Sequence, residues 1–124
     1  MKKNNDFKSR FYKRLIKFSL DVIKFSRKLE KDKILQILGK QLIRSSTSIG
    51  ANLIEAKASS SKKDYLHYFQ IALKSANESL YWLYLVKSSD KNLIRDSENL
   101  LKELDEICKI LGSSILTMKG KRKL

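Results

Sequence analysis

Proline is absent from this chain of 124 residues, and glycine occurs only four times. Hairpins and tight turns depend on these two residues, so the composition disfavours a strand-rich fold. The single cysteine, Cys108, cannot form an internal disulfide, and we expect a cytoplasmic protein. No apolar run approaches the roughly 18 residues of a membrane span, and charges interrupt the N-terminal segment too often for a signal peptide.

Residues that carry catalysis or bind metals are equally scarce. His67 is the only histidine, so a serine activated by it would still lack a defined orienting acid and oxyanion donors. One histidine and one cysteine on different predicted helices are too few ligands for a metal, and no Glu-x-x-His pattern occurs. We therefore expect no enzyme activity, metal, cofactor or small-molecule substrate, with His67 at the surface and Cys108 as a small core residue.

Positive charge is what the chain has in excess. Lysine and arginine number 27 against 13 acidic residues, a formal net charge of +14. The excess is uneven, because residues 1–31 hold 11 basic and 3 acidic residues, and the tail 119–124 holds four basic residues and no acidic one. Such a charge favours polyanionic partners, namely nucleic acid or an anionic membrane surface. Plain solubility is the alternative explanation.

Apolar residues recur at helical spacing along the whole chain. The pattern predicts helices over about 6–29, 33–58, 62–87 and 91–118, followed by a basic tail at 119–124. At this length the chain forms one domain, and short connections between long helices favour an antiparallel up-down-up-down four-helix bundle. The predicted fold class is therefore all-α.

Each predicted helix has a face that is expected to lie in the core. For the first helix this face is Phe7, Phe11, Leu15, Phe18, Val22, Phe25 and Leu29. For the second it is Ile34, Leu38, Leu42, Ile49, Leu53 and Ala56, and for the third Tyr65, Phe69, Ala72, Ala76, Leu80 and Leu83. For the fourth it is Leu93, Leu100, Leu104, Ile107, Cys108, Leu111, Ile115 and Met118, opposite an acidic face.

Two apolar surfaces exceed what one bundle core requires. The first helix carries a second stripe, formed by Tyr12, Ile16, Leu20 and Ile23, and residues 80–86 of the third helix are apolar on every side. Apolar surface of this extent is usually covered by another subunit or partner. We therefore expect a homo-oligomer.

The serine-rich stretch RSSTSIGANLIEAKASSSKKD, residues 44–64, could suggest a phosphate cradle. Such a cradle needs a glycine-rich loop between a strand and a helix, and neither a strand nor that pattern is present. The stretch divides instead into a helical face of small residues, suited to close packing, and a turn. In that turn Ser61 and Asp64 are expected to form a capping box at the start of the third helix.

The segment from Ser48 to Val86 resembles the 23S rRNA intervening-sequence protein family, small four-helix-bundle proteins related to the accessory protein of diversity-generating retroelements. The matching residues include Ser48, Gly50, Asn52, Glu55, Ser75, Glu78 and Trp82, although many relatives have proline where this chain has Gly50. The resemblance implies a ring, a homopentamer in members of known shape, with a basic surface and no established enzyme activity. For the retroelement relative it implies binding to a reverse transcriptase and nucleic acid.

Two functional hypotheses follow. In the first, a ring-forming, non-enzymatic protein binds RNA or DNA through phosphate contacts with low sequence specificity, since no aromatic stacking platform or groove-reading motif is evident. The candidate binding residues are Arg10, Lys13, Arg14, Lys17, Lys24, Arg27, Lys28, Lys119, Lys121, Arg122 and Lys123. In the second, the protein is an adaptor or scaffold that holds a protein partner. A cationic membrane-surface helix is the least favoured alternative, because the bundle core needs the same phenylalanines.

Overall fold

The structure, a computed structural model, describes the backbone of residues 2–120 and the side chains of residues 6–120. Four α-helices make up nearly all of this part: α1 spans Lys2–Arg27, α2 Lys33–Ala58, α3 Lys62–Ser89 and α4 Ile94–Met118. A 3-10 turn, Lys91–Leu93, precedes α4, and no strand occurs between residues 2 and 120. The predicted all-α class is confirmed.

Side-chain contacts between neighbouring helices show that the bundle is antiparallel. Along the α1–α4 boundary, Arg14 pairs with Glu103 and Lys28 with Asp96, so the two helices run in opposite directions. Helices α2 and α3 are antiparallel as well, because Ser45 contacts Ser79 and the later Ser48 contacts the earlier Ser75. Each neighbouring pair of helices is joined by at least one such contact: Tyr12 with Leu53 for α1–α2, Ser45 with Ser79 for α2–α3, Lys87 with Glu98 for α3–α4, and Arg14 with Glu103 for α1–α4.

Short polar side chains cap the starts of α2, α3 and the 3-10 turn that precedes α4. Asp32 accepts two hydrogen bonds from first-turn amides of α2, at 2.8 and 3.0 Å. Ser61 Oγ accepts a hydrogen bond from the backbone N–H of Asp64 at 3.1 Å, and Asp90 Oδ1 accepts one from the backbone N–H of Asn92 at 2.9 Å. Each of these bonds satisfies a backbone N–H that has no partner within its helix. For the predicted capping box at Ser61, the structure records the bond to the serine and no return bond from Asp64.

One continuous core runs along the axis of the bundle. The largest side chains in it that solvent does not reach are Phe18, Leu15, Leu29, Leu42, Ile49, Leu53, Leu83, Leu104, Ile107 and Leu111. All four helices contribute to this set, as the predicted inner faces require. Within residues 2–120, no helix has both the length and the apolar character needed to cross a bilayer.

Two predicted core residues near helix ends are exposed instead. Phe7 has 48% of its surface accessible and stacks on Phe11, whose own ring is buried. Met118, the last residue of α4, is 36% accessible. Helical periodicity identifies which face of a helix points inward, but it does not say how far the neighbouring helices extend. These two predictions were wrong for that reason.

The start of α2 corrects a third prediction. Ile34 is 65% exposed, whereas Leu35 is buried at 5%. The predicted stripe reached Ile34 from Leu42 by two steps of four residues, and each such step turns about 40° beyond a full helical turn. The actual inner face passes through Gly39, where an added Cβ would lie only 3.1 Å from Leu29 Cδ1. The glycine therefore lets Leu29, from the preceding turn, fill the core.

The serine-rich part of α2 packs closely against α3. Ser45, Ser46 and Ser79 are fully buried, and the Ser79 hydroxyl lies 2.7 Å from Ser45 Oγ and 3.1 Å from Ser46 Oγ. One turn further along, Ser48 Oγ and Ser75 Oγ are 3.0 Å apart. Small side chains allow the two helix backbones to approach, and the paired hydroxyls avoid buried unsatisfied groups. The segment is a packing surface, as the spacing of its small residues predicts.

Candidate nucleic-acid interface

The solvent side of α1 carries a row of cations. Arg10, Lys13, Lys24 and Arg27 are all exposed, and none forms an ion pair with another described residue. Their successive spacings of three, eleven and three residues place them on one side of the helix. These four residues, termed the open α1 face below, present positive charge directly to solvent.

Arg14 and Lys28, in contrast, face α4. Arg14 donates two hydrogen bonds to the carboxylate of Glu103, both at 2.7 Å, and also pairs with Glu106. The bonds to Glu103 are the main reason that the pKa of Arg14 lies above its usual value. Lys28 Nζ lies 2.6 Å from Asp96 Oδ2. Both cations are thus partly neutralised by carboxylates of the same chain.

The remaining predicted cations fall into two groups. Lys17 is exposed and pairs with Asp21 on the same helix at 2.7 Å, and this bond raises the pKa of Lys17. Lys119 is exposed directly after α4. Lys121, Arg122 and Lys123 lie outside the described residues.

The acidic side of α4 is paired along its length. Each of its carboxylates has a cation within 4 Å, and two of the partners come from α1 or the turn after it. The pairs are Asp96 with Lys28, Glu98 with Lys87, Glu103 and Glu106 with Arg14, and Asp105 with Lys109. The described surface therefore holds unpaired cations on α1 and paired carboxylates on α4.

A groove of about 690 Å³ separates α1 from α4. Its apolar lining comes from Phe18, Phe25 and Leu100, whose side chains also belong to the buried core. The ion pairs from α1 and its following turn to α4 bridge its rim. Because both signs of charge line it, this groove has less attraction for a polyanion than the open α1 face.

A second cluster of cations was missed by the sequence analysis. Lys8 lies over the ring of Tyr65, 5.5 Å from its centre, and Lys57 lies over the ring of Tyr12, 5.7 Å from its centre. These residues and Lys13 line a cleft of about 540 Å³. The residues come from α1, α2 and α3, so no local pattern in the sequence could have revealed the cluster.

The family-signature residues Ser48, Asn52 and Ser75 lie at the α2–α3 boundary. Asn52 donates from Nδ2 to the backbone oxygen of Ser48 at 2.8 Å, and its Nδ2 lies 3.0 Å from Ser48 Oγ. Gly50 faces α1 instead, where an added Cβ would make ordinary contact with Leu15 Cβ at 3.7 Å. These positions support packing between helices.

Two further signature residues form a polar link across the surface. Glu78 accepts a hydrogen bond from Trp82 Nε1 at 2.8 Å and pairs with Arg44 of α2. The tryptophan bond is the main cause, and the arginine a further cause, of the lowered pKa of Glu78. Glu55, the last of the set, is exposed on α2. The link between Arg44, Glu78 and Trp82 joins α2 to α3 outside the serine contacts.

The two residues that could suggest catalysis or metal binding lie apart. His67 is exposed on α3, and Cys108 is half-buried on α4, with its sulfur 3.8 Å from Asn77 Oδ1. Burial, and then the charge of Asp105, raise the pKa of the Cys108 thiol. Between residues 2 and 120, no group of three or more His, Cys, Asp or Glu residues could hold a metal ion.

An antiparallel four-helix bundle with an unpaired basic row on its first helix defines the protein as a small, basic, all-α bundle protein. The chain belongs to the 23S rRNA-intervening sequence protein family, whose model matches residues 8–113. It is also similar to a solved protein of unknown function from the S23 ribosomal protein family of Bacteroides thetaiotaomicron, with 32% identity and a TM-score of 0.79. The match covers 85% of this chain and 97% of that one. No curated protein matches the chain.

Proposed function

We propose that this protein is a non-enzymatic, ring-forming module that binds RNA or DNA through phosphate contacts. The observation that carries the proposal is the open α1 face, Arg10, Lys13, Lys24 and Arg27, which is exposed and has no carboxylate partner among the described residues. Cations arranged in this way can exchange their counterions for phosphates without first breaking an internal ion pair. Contacts to phosphates alone carry no sequence information, so the expected specificity is low.

The assembly part of the proposal is supported by an apolar surface between α1 and α2. Ile16, Leu20 and Ile54 are 58%, 59% and 55% exposed, and they border a small groove whose lining is almost entirely apolar. A contiguous apolar patch of this kind favours burial against another subunit. The number five comes from the family resemblance alone. In a ring, the open α1 faces of several subunits could bind one nucleic acid together, which raises the effective affinity.

A charge-swap experiment tests the nucleic-acid part. The variant R10Q/K13Q/K24Q/R27Q removes the open α1 face, and K33Q/K40Q/K91Q/K102Q removes four exposed lysines elsewhere that form no ion pair with a described residue. Binding to a fluorescein-labelled duplex is measured by anisotropy at several salt concentrations. The first variant is expected to lower the slope of log affinity against log salt by about 3 to 4 for each subunit engaged. Equal effects of the two variants would contradict the proposal.

A mass measurement tests the assembly part. Native mass spectrometry of the wild-type chain is expected to show a closed oligomer, and I16S/L20S/I54S should shift it to the monomer because the apolar surface is lost. The variant Y81S/Y84S, which removes exposed rings elsewhere, is the control and should keep the wild-type mass. A wild-type chain that is monomeric at micromolar concentration would refute the ring.

The alternative function is an adaptor that holds a protein partner, such as a nucleic-acid enzyme. It is favoured by Tyr81 and Tyr84, which are 58% and 54% exposed near the C-terminal end of α3. Exposed aromatic side chains are common at the centre of protein interfaces. If R10Q/K13Q/K24Q/R27Q retains its function in the cell, the adaptor is supported. If the variant loses that function while its oligomer stays intact, nucleic-acid binding is supported. The proposed location for either role is the cytoplasm, supported by the unpaired Cys108.

A further inference from the structure

The cleft formed by Lys8, Tyr12, Lys13, Lys57 and Tyr65 has a chemistry that the rest of the basic surface lacks. Three lysines and two phenol rings converge there, and Ser9, Ile16 and Ile54 complete its lining. Tyr12, Ile16 and Ile54 also line the apolar groove that is proposed as the subunit contact, so the cleft borders that contact. No aspartate or glutamate is among the described residues that line it. Its volume of about 540 Å³ falls within the roughly 300–1,000 Å³ typical of small-ligand sites, enough for a nucleotide.

Both tyrosine rings are held in fixed positions. Tyr12 donates its hydroxyl to the backbone oxygen of Leu53 at 2.9 Å, which ties the ring to the C-terminal half of α2. The ring of Tyr65 packs at a tilt against the buried ring of Phe69, with 4.9 Å between centres. Burial, and then the neighbouring Tyr65, raise the pKa of Tyr12, so its phenol stays neutral at physiological pH. The rings thus offer rigid, uncharged aromatic surfaces.

The two lysines above the rings form no ion pair with another described residue. Lys8 and Lys57 are exposed, and each ammonium group lies within the roughly 6 Å reach of a cation–π contact. A phosphate carries a full negative charge, which attracts an ammonium group more strongly than the face of a ring does. A lysine that moves to a phosphate also uncovers the ring beneath it. Phosphate binding and exposure of an aromatic surface are therefore coupled.

We infer that this cleft binds a single-stranded segment of nucleic acid, with a phosphate held by the lysines and an unpaired base stacked on Tyr65. In a duplex the bases stack on one another inside the helix, so a recessed ring can be reached only by a base that has left the stack. The open α1 face, which includes Lys13, makes the cleft continuous with the proposed phosphate-binding surface. The inference rests on the proposed function and adds a preference for single strands.

The test compares a 12-nucleotide single strand with a duplex of the same sequence, by anisotropy at about 0.1 M salt. The variant K8Q/K57Q should weaken single-strand binding about 25-fold if both lysines contact phosphates, while K33Q/K40Q, the control of equal charge, should have a much smaller effect. Tyr65→Leu should weaken single-strand binding about 5- to 150-fold, the range for one stacked base, and Tyr65→Phe, which keeps the ring, should not. Duplex affinity should not respond to either change at Tyr65.

The outcomes separate this inference from the proposed function. Loss of single-strand binding in K8Q/K57Q and Tyr65→Leu, with the wild-type oligomer mass and helix content retained, supports the cleft. Equal effects of K8Q/K57Q and K33Q/K40Q would overturn the inference about the cleft. The proposed role of the open α1 face would still be decided separately, by the result for R10Q/K13Q/K24Q/R27Q. A drop in oligomer mass for K8Q/K57Q would show that the cleft is a contact between subunits and would also overturn it. No binding of either probe at low salt would overturn both proposals.

Discussion

Removing the carboxylates that hold Arg14 should strengthen nucleic-acid binding. Glu103 and Glu106 both pair with this arginine. Its side chain is 34% exposed and lies at the edge of the open α1 face, but its charge is held by these two carboxylates. The variant E103Q/E106Q keeps the shape of both side chains and removes their negative charges, which weakens their hold on the guanidinium. Arg14 then becomes available as one more phosphate contact in each subunit.

The size of the effect follows from counterion release. One additional contact adds about 0.9 to the slope of log affinity against log salt for duplex DNA, which at 0.1 M salt amounts to about 8-fold tighter binding. The stability cost should be small, because partly exposed ion pairs contribute about 0.2–1 kcal/mol. The variant should therefore remain folded while its affinity rises, and anisotropy together with thermal unfolding measures both quantities.

The control is E30Q/E55Q, which changes the net charge equally at exposed glutamates that form no ion pair with a described residue. General charge alone predicts the same gain for both variants, whereas the released arginine predicts a larger gain for E103Q/E106Q. If the two variants bind with equal affinity and equal salt slope, Arg14 is not a latent contact and the distinction between paired and open cations fails.

Two other predictions concern the α2–α3 boundary. Ser79→Ala should lower the free energy of unfolding by about 1–3 kcal/mol in urea titrations, because the fully buried hydroxyls of Ser45 and Ser46 lose their shared partner. The variant S45A/S46A/S79A removes both sides of these contacts. Its loss of stability should therefore be smaller than the sum of the losses in the three single variants. The carboxyl of Glu78 has a pKa in the folded protein below its ordinary value of 4.5. Its ionised form therefore stabilises the folded state at pH values above 4.5, and this contribution is lost as the pH falls through the folded pKa. Trp82→Phe removes the main hydrogen bond, and NMR titration should show the pKa of Glu78 rising; an unchanged pKa would contradict the assigned cause.

Much of the fold was predictable because helical periodicity reports which side of each helix is apolar. Phe18, Leu42, Leu83 and Leu104, one from each helix, all occupy the core as their spacing predicts. Ile34 shows the limit, because a stripe extended by four-residue steps drifts around the helix. Only the packing of Leu29 against Gly39 shows which side of that first turn faces inward.

The candidate site was less predictable, because it depends on how one helix is rotated against another. The sequence shows a basic first helix and an acidic fourth helix, but it does not show that Arg14 reaches Glu103 while Arg10 faces solvent. The cleft depends on three separate helices, and Lys57 and Tyr65 meet α1 only after the bundle has formed. Composition therefore predicts a polyanionic partner, and tertiary packing determines which cations are exposed and unpaired.

The central claim is that unpaired cations on α1 bind phosphates, and the most direct test is the salt dependence of binding by the wild-type protein. Affinity for a duplex is measured by anisotropy from about 50 to 200 mM salt, with the oligomer mass determined in the same preparation. Four contacts in each engaged subunit predict a slope of about −3 to −4 per subunit in log affinity against log salt. A slope near zero, or no binding at the lowest salt, would contradict the account.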